Sequence, residues 1–120
     1  STRPYQHVLE PLFAYLLIIK EQYEDIKYAG NYNVGPDECD CLSTGDLVNL
    51  FCEKWKDGVS WKNQSDSGPH EAGFLKLDCS KIKSTFGWKP TWHIEKTMEN
   101  ICEWCDSIVG GVRELWRCFR

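Results

Sequence analysis

Only three short stretches of this 120-residue sequence have the composition of β-strands, and this scarcity limits the possible folds more than any other feature. They are residues 32–34, 59–61 and 74–77, which are rich in aromatic and aliphatic side chains and are bounded by turn-forming residues. Three strands of this length make a poor sheet by themselves. The sequence therefore predicts a chain whose sheet is completed by a partner domain.

Apolar residues at three- and four-residue steps predict four helices, which cover residues 8–28, 43–57, 80–86 and 91–109. Side-chain caps at Ser43 or Thr44 open the second helix, and Gly87 stops the third. Gly110 and Gly111 are expected to end the fourth helix, leaving a domain of residues 1–111 and a tail of residues 112–120. The expected fold class is mixed α/β with about four helices and three short strands.

Composition narrows the class of protein. The length allows one domain, and a net charge of −4 with interspersed acids and bases argues against a nucleic-acid binder. The longest apolar run, residues 12–19, is far too short to cross a bilayer, and no secretory signal is visible. Seven cysteines, an odd number in no familiar secreted framework, favour reduced thiols and a cytoplasmic location.

Arg3 and His7 flank a Pro-Tyr pair at the start of the chain and are candidate binding residues. A planar guanidinium can donate two parallel hydrogen bonds to a phosphate, and an imidazole beside it can donate another. The alternative is a surface arginine and a histidine that caps the first helix. Spacing alone favours that alternative.

His70 and Glu71 form a second candidate pair, in a loop shaped by Gly68 and Pro69. Glu71 can accept hydrogen bonds from sugar or ribose hydroxyls, and His70 can donate to a phosphate or a base. An exposed polar loop without a ligand is the alternative, again favoured from spacing alone.

Two further patterns carry less weight. Tyr23 and Lys27 have the Y-x-x-x-K spacing of short-chain dehydrogenases, but the glycine-rich cofactor fingerprint that this chemistry needs is absent from these residues. Four cysteines, Cys39, Cys41, Cys102 and Cys105, offer a zinc set. The second pair falls inside a predicted helix, whereas zinc-binding C-x-x-C pairs usually lie on turns. A metal site is therefore disfavoured.

Several ordered segments together resemble one family. RPYQHVLEPL at residues 3–12, YNVGP at 32–36, PHEAGFLKLDCSKIKSTFGWKPTW at 69–92 and a closing helix with ENICEW are similar to extended short-chain dehydrogenases that act on nucleotide-linked sugars. The first segment and the His-Glu-Ala followed by Leu-Lys-Leu-Asp resemble the members that take CDP-glucose more than those that take dTDP-, GDP- or UDP-sugars.

The resemblance implies a carboxy-terminal, substrate-binding part of an NAD-dependent 4,6-dehydratase. In such enzymes an amino-terminal Rossmann domain holds NAD and the catalytic residues; C4 of the sugar is oxidised, water is lost across C5 and C6, and the hydride returns to C6. The product, a 4-keto-6-deoxy sugar nucleotide, leads to dideoxy sugars of surface polysaccharides. This chain would have no catalytic residue and would be inactive alone. A homodimer of the intact enzyme is also implied.

The resemblance assigns roles position by position. Arg3 matches an arginine that approaches the diphosphate, His7 is a positioning residue at the domain junction, and Glu71 matches a ribose contact with His70 beside it. Asn33 and Gly35 match a strand that joins the Rossmann sheet. Three alternatives stay open: a free-standing nucleotide-sugar-binding module, a relative acting on another NDP-sugar, and a structural zinc or interaction domain.

Overall fold

The computed structural model describes residues 1–55, 57–64 and 73–118. The elements in order are strand β1 (Thr2–Pro4), helix α1 (Leu9–Glu24), 3-10 turns at Ile26–Tyr28 and Glu38–Asp40, strand β2 (Cys41–Ser43) and helices α2 (Thr44–Trp55), α3 (Ser80–Phe86) and α4 (Ile94–Cys118). The expected class, mixed α/β with four helices, is confirmed.

The strands, however, are not those that the sequence predicted. The only two in the described ranges are β1 and β2, which pair antiparallel with Thr2 opposite Ser43 and Pro4 opposite Cys41. Residues 32–34 and 59–61 form no ladder, and the third predicted strand contributes a single bridge, Phe74 to Thr2. Composition marks a segment that fits a sheet, but a strand also needs a neighbour to pair with.

Two predicted helix ends are wrong. Helix α1 stops at Glu24 rather than Tyr28, because Asp25 turns extended (φ −149°, ψ 118°) and its carboxylate accepts the Lys27 N–H at 2.9 Å. Helix α4 runs through Gly110 and Gly111 to Cys118. Each glycine costs only about 1 kcal/mol inside a helix, too little to break a long one. The division into a domain and a tail at residue 111 stays a prediction.

The start of α2 and both ends of α3 follow their local signals, whereas α2 ends at Trp55, before the expected residue 57. The Ser43 hydroxyl accepts the Asp46 N–H at 3.1 Å and caps α2. Asp78 accepts the Ser80 N–H at 2.9 Å at the start of α3. Gly87, with φ +64°, closes α3 by donating its N–H to the Lys83 carbonyl.

The main core lies between α1 and α3. Its buried residues are Ala14, Cys79, Ile82 and Trp88, and five partly buried residues pack against them: Leu17, Ile18, Tyr32, Val34 and Phe86. The segment before α3 approaches residue 35 so closely that a Cβ on Gly35 would lie 2.9 Å from Leu77 Cδ1. Residues 32–35 therefore pack against this segment without pairing in a sheet within the described part of the chain.

We expect Ile82→Ala to lower the free energy of unfolding by about 3 kcal/mol, because a fully buried side chain would be lost and a cavity left. Urea denaturation followed by circular dichroism measures the change. Ile26→Ala is the matched control, since Ile26 is 84% exposed and should change stability by less than about 0.5 kcal/mol. Equal midpoints for the two variants would contradict this core.

The chain is extended for its length. Its radius of gyration is 18.7 Å, whereas a compact domain of this size has about 14 Å. The described helices include none that is long and apolar enough to span a membrane.

Helix α1 is apolar on two sides. Ala14 faces the core, while the opposite side carries a row of apolar residues that are 47–92% exposed. We call this row the outer face of α1; it consists of Leu9, Leu12, Phe13, Leu16, Ile19 and Tyr23. A helix that is apolar all round is normally buried on all sides. An exposed apolar row of this length is typical of a surface that another domain or molecule covers.

Candidate functional site

A buried carboxylate joins α1 to the loop that leads into α4. Glu10, in the first turn of α1, is 6% exposed. Its two oxygens accept the backbone N–H groups of Thr91, at 3.0 Å, and Trp92, at 2.8 Å. One side chain of α1 thus fixes two consecutive amides of the loop before α4.

A second buried carboxylate, Asp40, caps α4. It is 2% exposed; Oδ1 accepts the Ile94 N–H at 2.9 Å, and Oδ2 lies 2.8 Å from His93 Nδ1. Hydrogen bonding to Asp40 and attraction to its charge raise the pKa of His93, which favours the protonated ring. The negative charge lies at the amino end of the helix, where the helix dipole stabilises it.

Cys39 completes a cluster with these two residues. Its Sγ lies 3.7 Å from His93 Nδ1, and the donor atoms of Cys39, Asp40 and His93 all lie within 4.8 Å of one another. Cys39 is an exposed residue, but partial desolvation of its thiol, followed by repulsion from Asp40 and Asp37, raises the pKa of the thiol and disfavours the thiolate.

This cluster is not a nucleophilic triad. In a triad the nucleophile and the carboxylate occupy opposite ring nitrogens, whereas here both face Nδ1. A thiol with a raised pKa is also a poor nucleophile.

His7 has the structural role that spacing favoured. Its Nδ1 accepts the Leu9 N–H at 3.2 Å at the start of α1, and its ring meets Trp92 edge-on at 5.0 Å between centroids. His7 also lines an open, mostly apolar groove of about 550 Å³. The other lining residues come from the segment before α1, the first residue of α1, the loop before α4 and α4 itself: Gln6, Val8, Leu9, Trp92, Asn100, Ile101 and Trp104.

The remaining predicted site residues lie near β1 or outside the described residues. Arg3 is in the middle of β1, opposite Leu42, and does not line the His7 groove. His70 and Glu71 lie outside the described residues. However, the Thr2 N–H donates to the Gly73 carbonyl at 2.9 Å, and the Leu75 N–H donates to the Thr2 carbonyl at 3.1 Å.

These two bonds place Gly73 and Leu75 beside Thr2, the neighbour of Arg3 in β1. The contribution of His70 and Glu71 to a binding site stays a prediction from the sequence.

Two disfavoured patterns from the sequence find no support in the described ranges. Tyr23 is 92% exposed, and Lys27 lies beyond the end of α1 in an ion pair with Asp25 at 2.8 Å, so the Y-x-x-x-K pair shares no helix face. The four cysteines do not converge: the one metal-ligating group of three or more donors in residues 1–55, 57–64 and 73–118 is Cys39, Asp40 and His93. Cys102 and Cys105 lie farther along α4.

Sequence reasoning missed Glu10 and Asp40 as organising residues. Their partners are 81 to 82 and 53 to 54 positions away in the chain, and no local pattern pairs residues so distant. An acid in the first turn of a helix was visible for Glu10, but that signal indicates only a favourable helix dipole interaction.

Comparison with known proteins finds a similar enzyme. The chain is 38% identical over 112 residues to CDP-glucose 4,6-dehydratase of Salmonella typhimurium. The match covers 92% of this chain and 31% of that enzyme, so the chain spans about a third of its relative's length. This confirms the resemblance inferred from the sequence, and a match to the carboxy-terminal part of the enzyme fits these numbers. No family model matches the sequence.

Proposed function

We propose that this chain is the substrate-binding part of a nucleotide-sugar 4,6-dehydratase that converts CDP-glucose to CDP-4-keto-6-deoxy-glucose. The observation that carries the proposal is the similarity to a CDP-glucose 4,6-dehydratase along nearly the whole chain. One of the segments that resemble such enzymes, residues 3–12, covers most of β1. Another, residues 69–92, includes His70, Glu71 and the whole of α3.

The redox chemistry belongs to the rest of the longer enzyme in this proposal. NAD would be bound by a Rossmann domain outside these residues and would take up and return the sugar hydride. Two features support such a partner: the outer face of α1, which is uncovered, and residues 32–34, which have strand composition but no strand neighbour. The intact protein would be a cytoplasmic enzyme and, by family resemblance, a homodimer.

The role of this chain is to hold the nucleotide end of the substrate. Arg3 would form a bidentate contact with the diphosphate, and Glu71 would accept from the ribose with His70 beside it. His7 would act as a positioning residue, because it caps α1 and contacts Trp92. Binding energy from the non-reacting nucleotide can then be used to place the hexose over the cofactor.

A chimera tests this function. The chain replaces the matching third of the Salmonella typhimurium enzyme, and the product of CDP-glucose is sought by mass spectrometry as a nucleotide sugar lighter by one water. We expect turnover of CDP-glucose that exceeds turnover of UDP- and dTDP-glucose. A folded chimera that turns over UDP- or dTDP-glucose but not CDP-glucose would overturn the nucleotide assignment.

The same chimera tests Arg3. We expect Arg3→Ala to raise KM for CDP-glucose about 10- to 100-fold, the value of one lost charge-assisted contact, with a smaller change in kcat. Lys96→Ala is the control, since Lys96 lies on α4 in a surface pair with Glu99. Equal KM values for the two variants would remove Arg3 from the binding site.

The alternative is a nucleotide-sugar-binding module without catalysis. It predicts that the separate chain binds CDP-glucose in isothermal titration calorimetry while the folded chimera is inactive.

A further inference from the structure

We propose that Cys39, Asp40 and His93 bind one divalent transition-metal ion, with zinc as the best-fitting metal. The cluster differs from the four-cysteine set that the sequence offered, and it draws on a sulfur, a nitrogen and an oxygen from two regions 53 residues apart. The proposal does not depend on the dehydratase assignment.

Two of the three donor separations are close to those of a tetrahedral site. Zinc lies about 2.3 Å from sulfur and about 2.1 Å from nitrogen or oxygen, which holds S and N ligands about 3.6 Å apart and N and O ligands about 3.4 Å apart. The observed separations are 3.7 Å between Cys39 Sγ and His93 Nδ1 and 2.8 Å between His93 Nδ1 and Asp40 Oδ2. The S–N pair is already within about 0.1 Å of the tetrahedral value, and a separation of His93 from Asp40 by about 0.6 Å would bring the N–O pair to it. The third pair, Cys39 Sγ and the Asp40 carboxylate, lies within 4.8 Å.

Asp40 and Cys39 approach the same ring nitrogen of His93. A single Nδ1 faces both Asp40 Oδ2 and Cys39 Sγ, but it can hold only one proton. A metal ion at this point would bind all three donor atoms at once and displace the proton of the Cys39 thiol, and its charge would offset the carboxylate and the thiolate so formed. Thiolate together with imidazole favours zinc over magnesium or calcium.

The surroundings are suited to such a site. Asp40 Oδ1 stays bonded to the Ile94 N–H, which fixes the carboxylate as an outer hydrogen bond does in known metal sites. Cys39 and His93 are exposed at an open cavity of about 510 Å³, which gives access and room for a water as fourth ligand.

Cobalt substitution tests the site directly, because a tetrahedral Co²⁺–thiolate site absorbs visible light strongly. The full chain is prepared free of metal in a non-thiol reductant and titrated with Co²⁺. We expect one Co²⁺ per chain with a thiolate-to-metal absorption band that an equivalent of Zn²⁺ abolishes.

Variants assign the ligands. Cys39→Ser should abolish the band and weaken Zn²⁺ binding at least tenfold, and His93→Gln should do the same. Cys41→Ser is the matched control and should keep both, because the Cys41 Sγ lies 3.9 Å from the Asp37 carbonyl and outside the cluster. Far-UV circular dichroism confirms folding; if His93→Gln unfolds, the exposed Cys39 decides the result. A band that survives Cys39→Ser, or the absence of stoichiometric Co²⁺ binding, would overturn the proposal.

Discussion

Glu10→Ala is expected to lower the free energy of unfolding by about 3 kcal/mol. The substitution removes the acceptor of two backbone N–H groups, those of Thr91 and Trp92, at a site where the carboxylate is 6% exposed. A buried donor left unsatisfied costs about 1–3 kcal/mol, and here there are two. Because this contact joins α1 to the loop before α4, the melting temperature should fall by more than about 10 °C.

Glu10→Gln separates the effect of the hydrogen bonds from that of the charge, and Glu24→Ala is a surface control. Glu10→Gln keeps one acceptor of similar shape and should lose about half as much stability, since one N–H stays paired. Glu24→Ala, at the exposed end of the same helix, should cost less than about 0.5 kcal/mol although it removes an ion pair with Lys20. A loss for Glu10→Ala no larger than that for Glu24→Ala would show that this carboxylate does not hold α4 in place.

Leu16→Gln combined with Ile19→Gln should change stability little in the separate chain and lower it strongly in the chimera. In the separate chain these side chains are 68% and 61% exposed, so the change in stability should stay within about 0.5 kcal/mol and solubility should rise. In the chimera with a Rossmann domain, two amides would be buried at the domain contact. We expect a loss of more than about 3 kcal/mol there, from desolvated amides and lost apolar contact.

Urea denaturation of the chain and of the chimera, each with and without the substitutions, measures both effects. Ile108→Gln is the control, because Ile108 is an apolar residue on α4 that is 46% exposed and lies outside the outer face of α1. Equal, small losses in both settings would mean that the outer face stays uncovered in the longer protein.

Helix formation was largely predictable because it depends on neighbours in sequence. The end of α3 follows from Gly87 and the start of α2 from the Ser43 cap. The ends of α1 and α4 were missed, because Asp25 competes for a backbone N–H and because two adjacent glycines cost less than the remaining helix contributes.

Strand pairing was not predictable from composition. Residues 32–34 have the aromatic and β-branched character of a strand but pair with no strand in the described part of the chain. The short segments at Thr2–Pro4 and Cys41–Ser43 pair because the fold brings them together. In the same way, His7 was visible as a helix cap or a ligand residue, and only its bond to the Leu9 N–H shows the cap.

The sequence by itself determined the four helices, the mixed class and the resemblance to nucleotide-sugar enzymes, because periodicity, caps and ordered motifs are local properties. Only the tertiary structure decided which strands pair, that Glu10 and Asp40 hold the start of α4, and that Cys39 lies beside His93. These contacts join residues more than 35 positions apart, so they depend on how the helices pack, which no local pattern encodes.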